Sequence, residues 1–363
     1  MLAALVCSNV WAQSPPAPQQ DSSATTTLRT QSTLVLVPTL VKTKAGALVY
    51  TLSANDFTIT DNGVEQKVSL DEDTDQQPLA LVVAVETGGA GGRQLDKYRD
   101  LGAMIEAIVG NVRHEVAVVG FDSKPTVAQA FTPDLNLMGK ALGDLAPGDK
   151  GAAIFDALAF SVDMLREQPP VYRRAILLLS ETVDQGSQVK LADALRDIGD
   201  TNTAIYSLAF SSPKSAAKHE GGQAFSDQPG PAGGCMSKEA AVELDESRMQ
   251  QTWDCLATLA PPLRLGKMAA LLAMNSLRRN APETVAQLTG GEYYKFKDER
   301  SLQRGLQTIS NHVPNRYVLS FHPQSPQPGP HAIEVKLKDY PNLVVTARSS
   351  YWASSMAAGE ALP

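Results

Sequence analysis

Past its first dozen residues this 363-residue sequence has no apolar run of about 18 residues, so no helical membrane span is expected. Positive charge is in short supply: 32 Lys and Arg stand against 39 Asp and Glu, a formal net charge of −7. That balance disfavours nonspecific binding to nucleic acid or anionic membranes through the bulk surface and leaves only a local basic patch open. Several chemical signatures are missing. There is no G-x-S-x-G elbow, no H-E-x-x-H helix and no G-x-x-x-x-G-K-[ST] loop. The five histidines, His114, His219, His312, His322 and His331, lie too far apart for a local zinc motif and are expected at the surface or in loops.

What is present is ordinary for a folded chain, with 43% hydrophobic and 20% charged residues. The length suggests two or so domains. Residues 1–12, MLAALVCSNVWA, are apolar and uncharged and close on the small-x-small pattern Val10-Trp11-Ala12. This reads either as a secretory signal lacking its basic start, cut before Gln13, or as an apolar N-terminus that frays. Residues 13–32 are rich in Pro, Gln, Ser and Thr and read as a flexible linker. Together they point to a secreted or periplasmic location. Loss of Cys7 with the signal would leave Cys235 and Cys255, an even pair suited to an oxidising compartment. Joined, they would stabilise the fold by roughly 3 kcal/mol in the chain-entropy model. The other reading is two separate buried thiols.

Residues 33–77 alternate Val, Leu, Thr and Ile with polar residues around the turn signals Lys44-Ala45-Gly46 and Asp61-Asn62-Gly63. They read as a small antiparallel β module. A second rhythm fills residues 78–313. Apolar strand runs at 79–85, 115–121, 174–180, 203–210 and 292–296 alternate with helical periodicity at 101–112, 153–165, 191–198 and 301–313. Such a pattern specifies a three-layer, doubly wound, mostly parallel sheet covered on both faces. Residues 211–282 interrupt it with a loop and a helical hairpin, whose Met249, Trp253 and Met268 either face a partner or pack on the domain itself. The chain returns to β at 314–352 and ends in a tail, 353–363.

Open sheets of this kind bind ligands at the carboxyl ends of their strands. There the sequence places Glu86 and the turn Gly88-Gly89-Ala90-Gly91-Gly92, then Gly151-Ala152 ahead of the helix holding Asp156, then Glu181 and Asp184. The glycine turn invites a phosphate reading, in which the chain is an exported enzyme or nucleotide binder, but it does not register on G-x-G-x-x-G. Taken with the phrases LSANDFTITDNGVEQKV, LVVAVETGG, FTPDLNLMGKALGDL, GAAIFDALAF, RRAILLLSETVDQGS, TVAQLTGGEYYKF, NRYVLSFHP and TARSSYW, the arrangement resembles the von Willebrand factor type A fold, and more closely the bacterial VWFA-related family catalogued in acidobacteria.

The resemblance implies a non-enzymatic binding or scaffold protein with a protein partner. It also implies a metal-ion-dependent adhesion site, with an Asp-x-Ser-x-Ser turn, a Thr and a second Asp around Mg²⁺. This chain departs at each position: Glu86 stands for the first Asp, Gly88 and Ala90 for the two Ser, Ala152 for the Thr and Glu181 for the last Asp. Three hydroxyl ligands are gone and each carboxylate stands one methylene further from its backbone. The expectation is a degenerate site that needs no cofactor, with Glu86, Glu181 and Asp184 able at most to hold a looser, water-filled Mg²⁺ or Ca²⁺.

Overall fold

A computed structural model of the chain describes residues 34–71, 77–99, 101–212, 280–324 and 327–353. The expected signal and linker (residues 1–32), Cys235 and Cys255 with the disulfide expected between them, the body of the expected 211–282 insertion with Met249, Trp253 and Met268, and the residues after Ala353 lie outside the described residues. The alternating N-terminal region folds as β1 (Val35–Thr43), β2 (Phe57–Asp61), β3 (Val64–Gln66) and β4 (Ser69–Asp71). Phe57, Ile59 and Asp61 are buried while Thr58 and Thr60 are half-buried, the period of two expected of a strand with one face inside. Asn62 (φ 48°) and Gly63 (φ 86°) take up the left-handed backbone that a tight β2–β3 hairpin needs.

The second rhythm gives β5 (Leu79–Glu86), α1 (Gly102–Val109), β6 (His114–Phe121), β7 (Pro125–Thr132), α2 (Leu135–Gly143), α3 (Ile154–Arg166), β8 (Arg173–Glu181), α4 (Leu191–Asp200), β9 (Ala204–Phe210), α5 (Ala281–Thr289), β10 (Tyr293–Lys295) and α6 (Glu299–His312). The strands form one six-stranded sheet in the order β10-β9-β8-β5-β6-β7, parallel except for β7. Every residue of β5 is buried, which is why its sequence is one apolar run. Its two sets of alternate residues serve two cores. Leu79, Leu81, Val83 and Val85 meet α1, α2 and α6, whereas Ala80, Val82 and Ala84 meet α3, α4 and α5. The result is a three-layer α/β fold.

Three elements escape the sequence patterns for identifiable reasons. β7 reads PTVAQAFT, too rich in small and polar residues to look like a buried strand. α2 contains Gly139 and Gly143, and α5 starts inside what the sequence presents as the insertion.

The chain then adds β11 (Tyr317–Phe321), β12 (Gly329–Leu337), β13 (Leu343–Ala347) and β14 (Ser350–Ala353). These do not form a sheet of their own. β1 lies between β11 and β13 in the sheet β13-β1-β11-β4, and β2 lies beside β12 in the sheet β14-β12-β2-β3. Val35, Val37, Phe57 and Ile59 from one end of the chain share a core with Leu319, Phe321, Ile333 and Tyr351 from the other. Deleting everything from Arg316 onward removes both neighbours of β1 and exposes that core. The truncated chain is therefore expected to melt several degrees lower, or to lose its cooperative transition, in a calorimetric scan. A truncated chain that melts unchanged would contradict this pairing.

A buried ionic cluster ties the β sandwich to the α/β layers. Glu292, just ahead of β10, receives His312 Nδ1 at 2.9 Å, Arg316 Nη2 at 2.9 Å and the Tyr294 hydroxyl at 3.0 Å, with Lys42 Nζ of β1 at 3.7 Å. Arg316 also donates to the Gly290 carbonyl and stands over the Tyr206 ring, 5.2 Å from its centre. Burial alone would raise the Glu292 pKa, but the His312 hydrogen bond and the charges of Arg316 and Lys42 outweigh it and bring it down to about 2. Nearby, the buried guanidinium of Arg348 donates to Asn202 Oδ1 at 2.8 Å and reaches the carbonyls of Leu36 and Gly199.

Candidate functional site

The chain leaves β5 in one direction for β6 and β7 and reaches β8, β9 and β10 on the other side. The carboxyl ends of β5 and β8 thus frame the crevice where an open α/β sheet changes winding direction. Glu86 ends β5 and Glu181 ends β8. Glu86 is 0% exposed; its Oε1 accepts the Gly91 N–H at 2.9 Å and its Oε2 the Glu181 N–H at 2.6 Å. Gly91 is required there, since a Cβ would lie 2.4 Å from the Glu86 carbonyl oxygen and 2.6 Å from its Cγ. Burial pushes the Glu86 pKa up to about 8, with the neighbouring Glu181 charge adding to the rise against the two backbone donors. Glu181 is 1% exposed, accepts from Gln185 Nε2 at Oε1, and has no hydrogen-bond partner for Oε2 among the described residues.

The glycine turn is closed over by other backbone. Thr87 N–H and hydroxyl both reach the Phe121 carbonyl, at 2.7 and 3.1 Å. Gly88 donates to Phe121 O at 3.3 Å, Gly89 to Asp149 O at 2.7 Å and Gly92 to Gly88 O at 3.1 Å. In return Gly148 donates to Thr87 O at 2.9 Å, and the Asp149 carboxylate holds Ser123 N–H and Gly151 N–H at 3.1 and 2.7 Å. A Cβ at Gly88 would stand 2.0 Å from the Gly151 carbonyl oxygen and 2.8 Å from Asp122 Cβ. The N–H groups of Gly88, Gly89, Gly91 and Gly92, which a phosphate would need, all have protein acceptors. Ala90 is half-buried against the core on the α1 side of the sheet.

The remaining candidates have separate tasks. Ala152 is buried and exchanges backbone hydrogen bonds with Gln185, at 3.0 and 2.8 Å. Asp184 accepts the Phe155 N–H at 3.3 Å and the Ser187 hydroxyl, so it caps the start of α3; burial raises its pKa while these bonds oppose the rise. Asp156 reciprocates from α3 by holding Gln188 N–H and Val189 N–H at 2.9 and 2.8 Å. The structure therefore brings Glu86 and Glu181 together and sends Asp184 to the helix. Asp122 and Asp149, which close the turn, were not singled out in the sequence; the run Gly148-Asp149-Lys150-Gly151 was the available signal for a tight loop.

Two histidines correct the expectation of surface or loop positions. His312 is buried against Glu292, and His331 is buried in the sandwich, with Nδ1 2.7 Å from Asp61 Oδ1 and Nε2 2.7 Å from the Gln327 carbonyl. Each carries a buried carboxylate partner, the feature that makes burial of an imidazole affordable. Among the described residues, no three His, Cys, Asp or Glu side chains gather as a metal site and no helix is long and apolar enough to cross a membrane.

The strand order, the helices on both faces and the crevice between Glu86 and Glu181 define a three-layer, doubly wound α/β domain, the fold class that the von Willebrand resemblance implies. Among solved structures the chain is similar to BatB from Bacteroides thetaiotaomicron, a conserved hypothetical protein, at 15% identity over 65% of this chain and 98% of that one, with a TM-score of 0.40. It is similar to the VWA domain of SpRpn10 at 15% identity over 39% of this chain and 79% of that one, TM-score 0.31. The vWF domain of the type V pili tip protein Mfa5 from Porphyromonas gingivalis is 17% identical over 30% of this chain and 39% of that one, TM-score 0.26. No family model and no curated protein sequence matches the chain.

Proposed function

We propose that this chain is an exported, non-enzymatic binding protein whose von Willebrand type A-like domain engages a protein partner without a bridging metal ion. One observation supports the reading above others: the crevice is filled by the protein's own backbone, with both Glu86 oxygens bound to N–H groups and the space beyond Gly88 occupied by the Gly151 carbonyl. A Mg²⁺ ion needs hard oxygens in near-octahedral array at about 2.0–2.1 Å. Gly88, Ala90 and Ala152 offer no side-chain oxygen and Asp184 is turned to α3, while Glu181 Oε2 is buried without a hydrogen-bond partner among the described residues. This donor set does not fit the ion. The partner is then held by surface loops and apolar contacts. The non-enzymatic reading draws on the same closure, since the four glycine N–H groups of the turn are already bonded to protein acceptors. Export draws on the apolar N-terminal residues alone, with a secreted or periplasmic location following from them.

The test is thermal unfolding in chelator and in millimolar Mg²⁺ or Ca²⁺. An ion bound only to the folded state would stabilise it by about 2.7 kcal/mol at 100-fold above its dissociation constant. That is a shift of several degrees. No specific shift is expected, and partner capture should survive chelation. A saturable shift that disappears in Glu86→Ala or Glu181→Ala would overturn the proposal.

A further inference from the structure

β7 is the antiparallel edge strand of the six-stranded sheet, and its outer side pairs with no strand among the described residues. Free edges are templates for another strand, and proteins commonly blunt them with charge, proline or bulges. β7 has no charged residue between Pro125 and Thr132, and Thr126, Val127, Ala128 and Ala130 are exposed. Val127 is 46% exposed.

The order of the residues says what fits this edge. Residues 124–134 read KPTVAQAFTPD, a near-palindrome about Gln129. In an antiparallel pair related by a twofold axis, residues equally spaced on either side of the axis face one another. With the axis at Gln129, Ala128 faces the partner's Ala130, Val127 the partner's Phe131 and Thr126 the partner's Thr132. Small residues meet small, apolar meet apolar and hydroxyl meets hydroxyl, the cross-strand pairs that stabilise a ladder. Lys124 then faces the partner's Asp134, twice per pair of chains, and both residues are exposed. Pro125 and Pro133 lack N–H groups and end the ladder at each side. Two register shifts between β6 and β7, at Val116–Val119, fall opposite Val127–Thr132 inside the paired segment; they bend the strand and interrupt the regular ladder there, so the facing pairs are counted along the chain outward from Gln129. Because the axis is a twofold, the shifts bend both copies alike.

We propose that β7 pairs antiparallel with β7 of a second copy of this chain about an axis at Gln129, so that two six-stranded sheets run on as one. The failure of this proposal would leave the metal-free reading of the Glu86 crevice untouched.

Light scattering on the full chain tests it. The wild-type chain is expected to show twice the monomer mass, and Gln129→Lys, which sets two lysines against each other across the axis, should halve it. Gln129→Glu should do the same, while an equal mixture of the two variants should recover the doubled mass. Circular dichroism checks that each variant is folded. Lys124→Glu, an exposed change outside the strand, gives a second route and is expected to shift the population toward monomer. A wild-type chain that remains monomeric up to its solubility limit overturns the proposal. So does an undiminished dimer in Gln129→Lys, or a mixture of folded variants that stays monomeric.

Discussion

Replacing Glu292 by alanine is expected to lower the unfolding free energy by about 3–5 kcal/mol, because it strands the buried Arg316 and His312 without their carboxylate. That is a large part of a domain's usual margin of roughly 5–15 kcal/mol. The sign of the pH dependence follows from the depressed pKa. Glu292 ionises at about 2 in the folded chain against an ordinary 4.5, so its contribution is complete above 4.5 and is lost as pH falls toward 2. The shift corresponds to about 3 kcal/mol at one pKa unit per 1.36 kcal/mol. Denaturant titrations of wild type and Glu292→Ala should show a gap that is widest near neutrality and closes in acid. A gap of constant size from pH 7 down to the acid transition would refute the assignment.

Glu86 is expected to act in the opposite sense. Its folded pKa of about 8 lies above the ordinary 4.5, so the folded state holds a proton that the unfolded state has released. The stabilisation from that proton is complete below 4.5 and is lost as pH rises through 8, a swing of up to about 5 kcal/mol. Glu86→Gln cannot titrate. Its amide sets an NH₂ group against one of the two backbone N–H donors, so the variant starts below wild type in mild acid. The readout is how the difference changes with pH. Between pH 5 and 9 the wild type should lose stability relative to the variant, and the curves should converge or cross. A difference that stays flat over that interval would show that the Glu86 carboxyl is not held in its neutral form.

The α/β layers were legible in the sequence because burial on both faces turns a strand such as Leu79–Glu86 into an uninterrupted apolar run. The strand ends were legible with them, and so Glu86 and Glu181 could be placed at one edge of the sheet before any coordinates. The sandwich was legible only in part. Alternation marked β1 and β2 as strands but says nothing about partners, and those lie at the other end of the chain, with Val35 opposite Phe321. The closure of the crevice was not legible because backbone groups make it, and a carbonyl such as that of Gly151 leaves no letter of its own. For the same reason nothing in the sequence showed that Asp184, a candidate ligand there, accepts the Phe155 N–H at the start of α3. His312 and His331 carried no signal either, since a histidine's burial depends on a carboxylate far away in sequence, Glu292 in one case and Asp61 in the other.

The interleaving of β1 and β2 with β11 to β13 also sets an order of assembly. As the chain is synthesised from its N-terminus, β1 emerges with neither of its neighbours yet made, and it waits until β11 and β13 follow. The six strands of the central sheet are all encoded in between, so that sheet can be complete while the sandwich is still open. During this interval Val35, Val37, Phe57 and Ile59, later the heart of a core, stand exposed to water. The sandwich therefore cannot close before β11 to β13 have emerged, and until then the apolar residues of the N-terminal strands lack the partners that bury them.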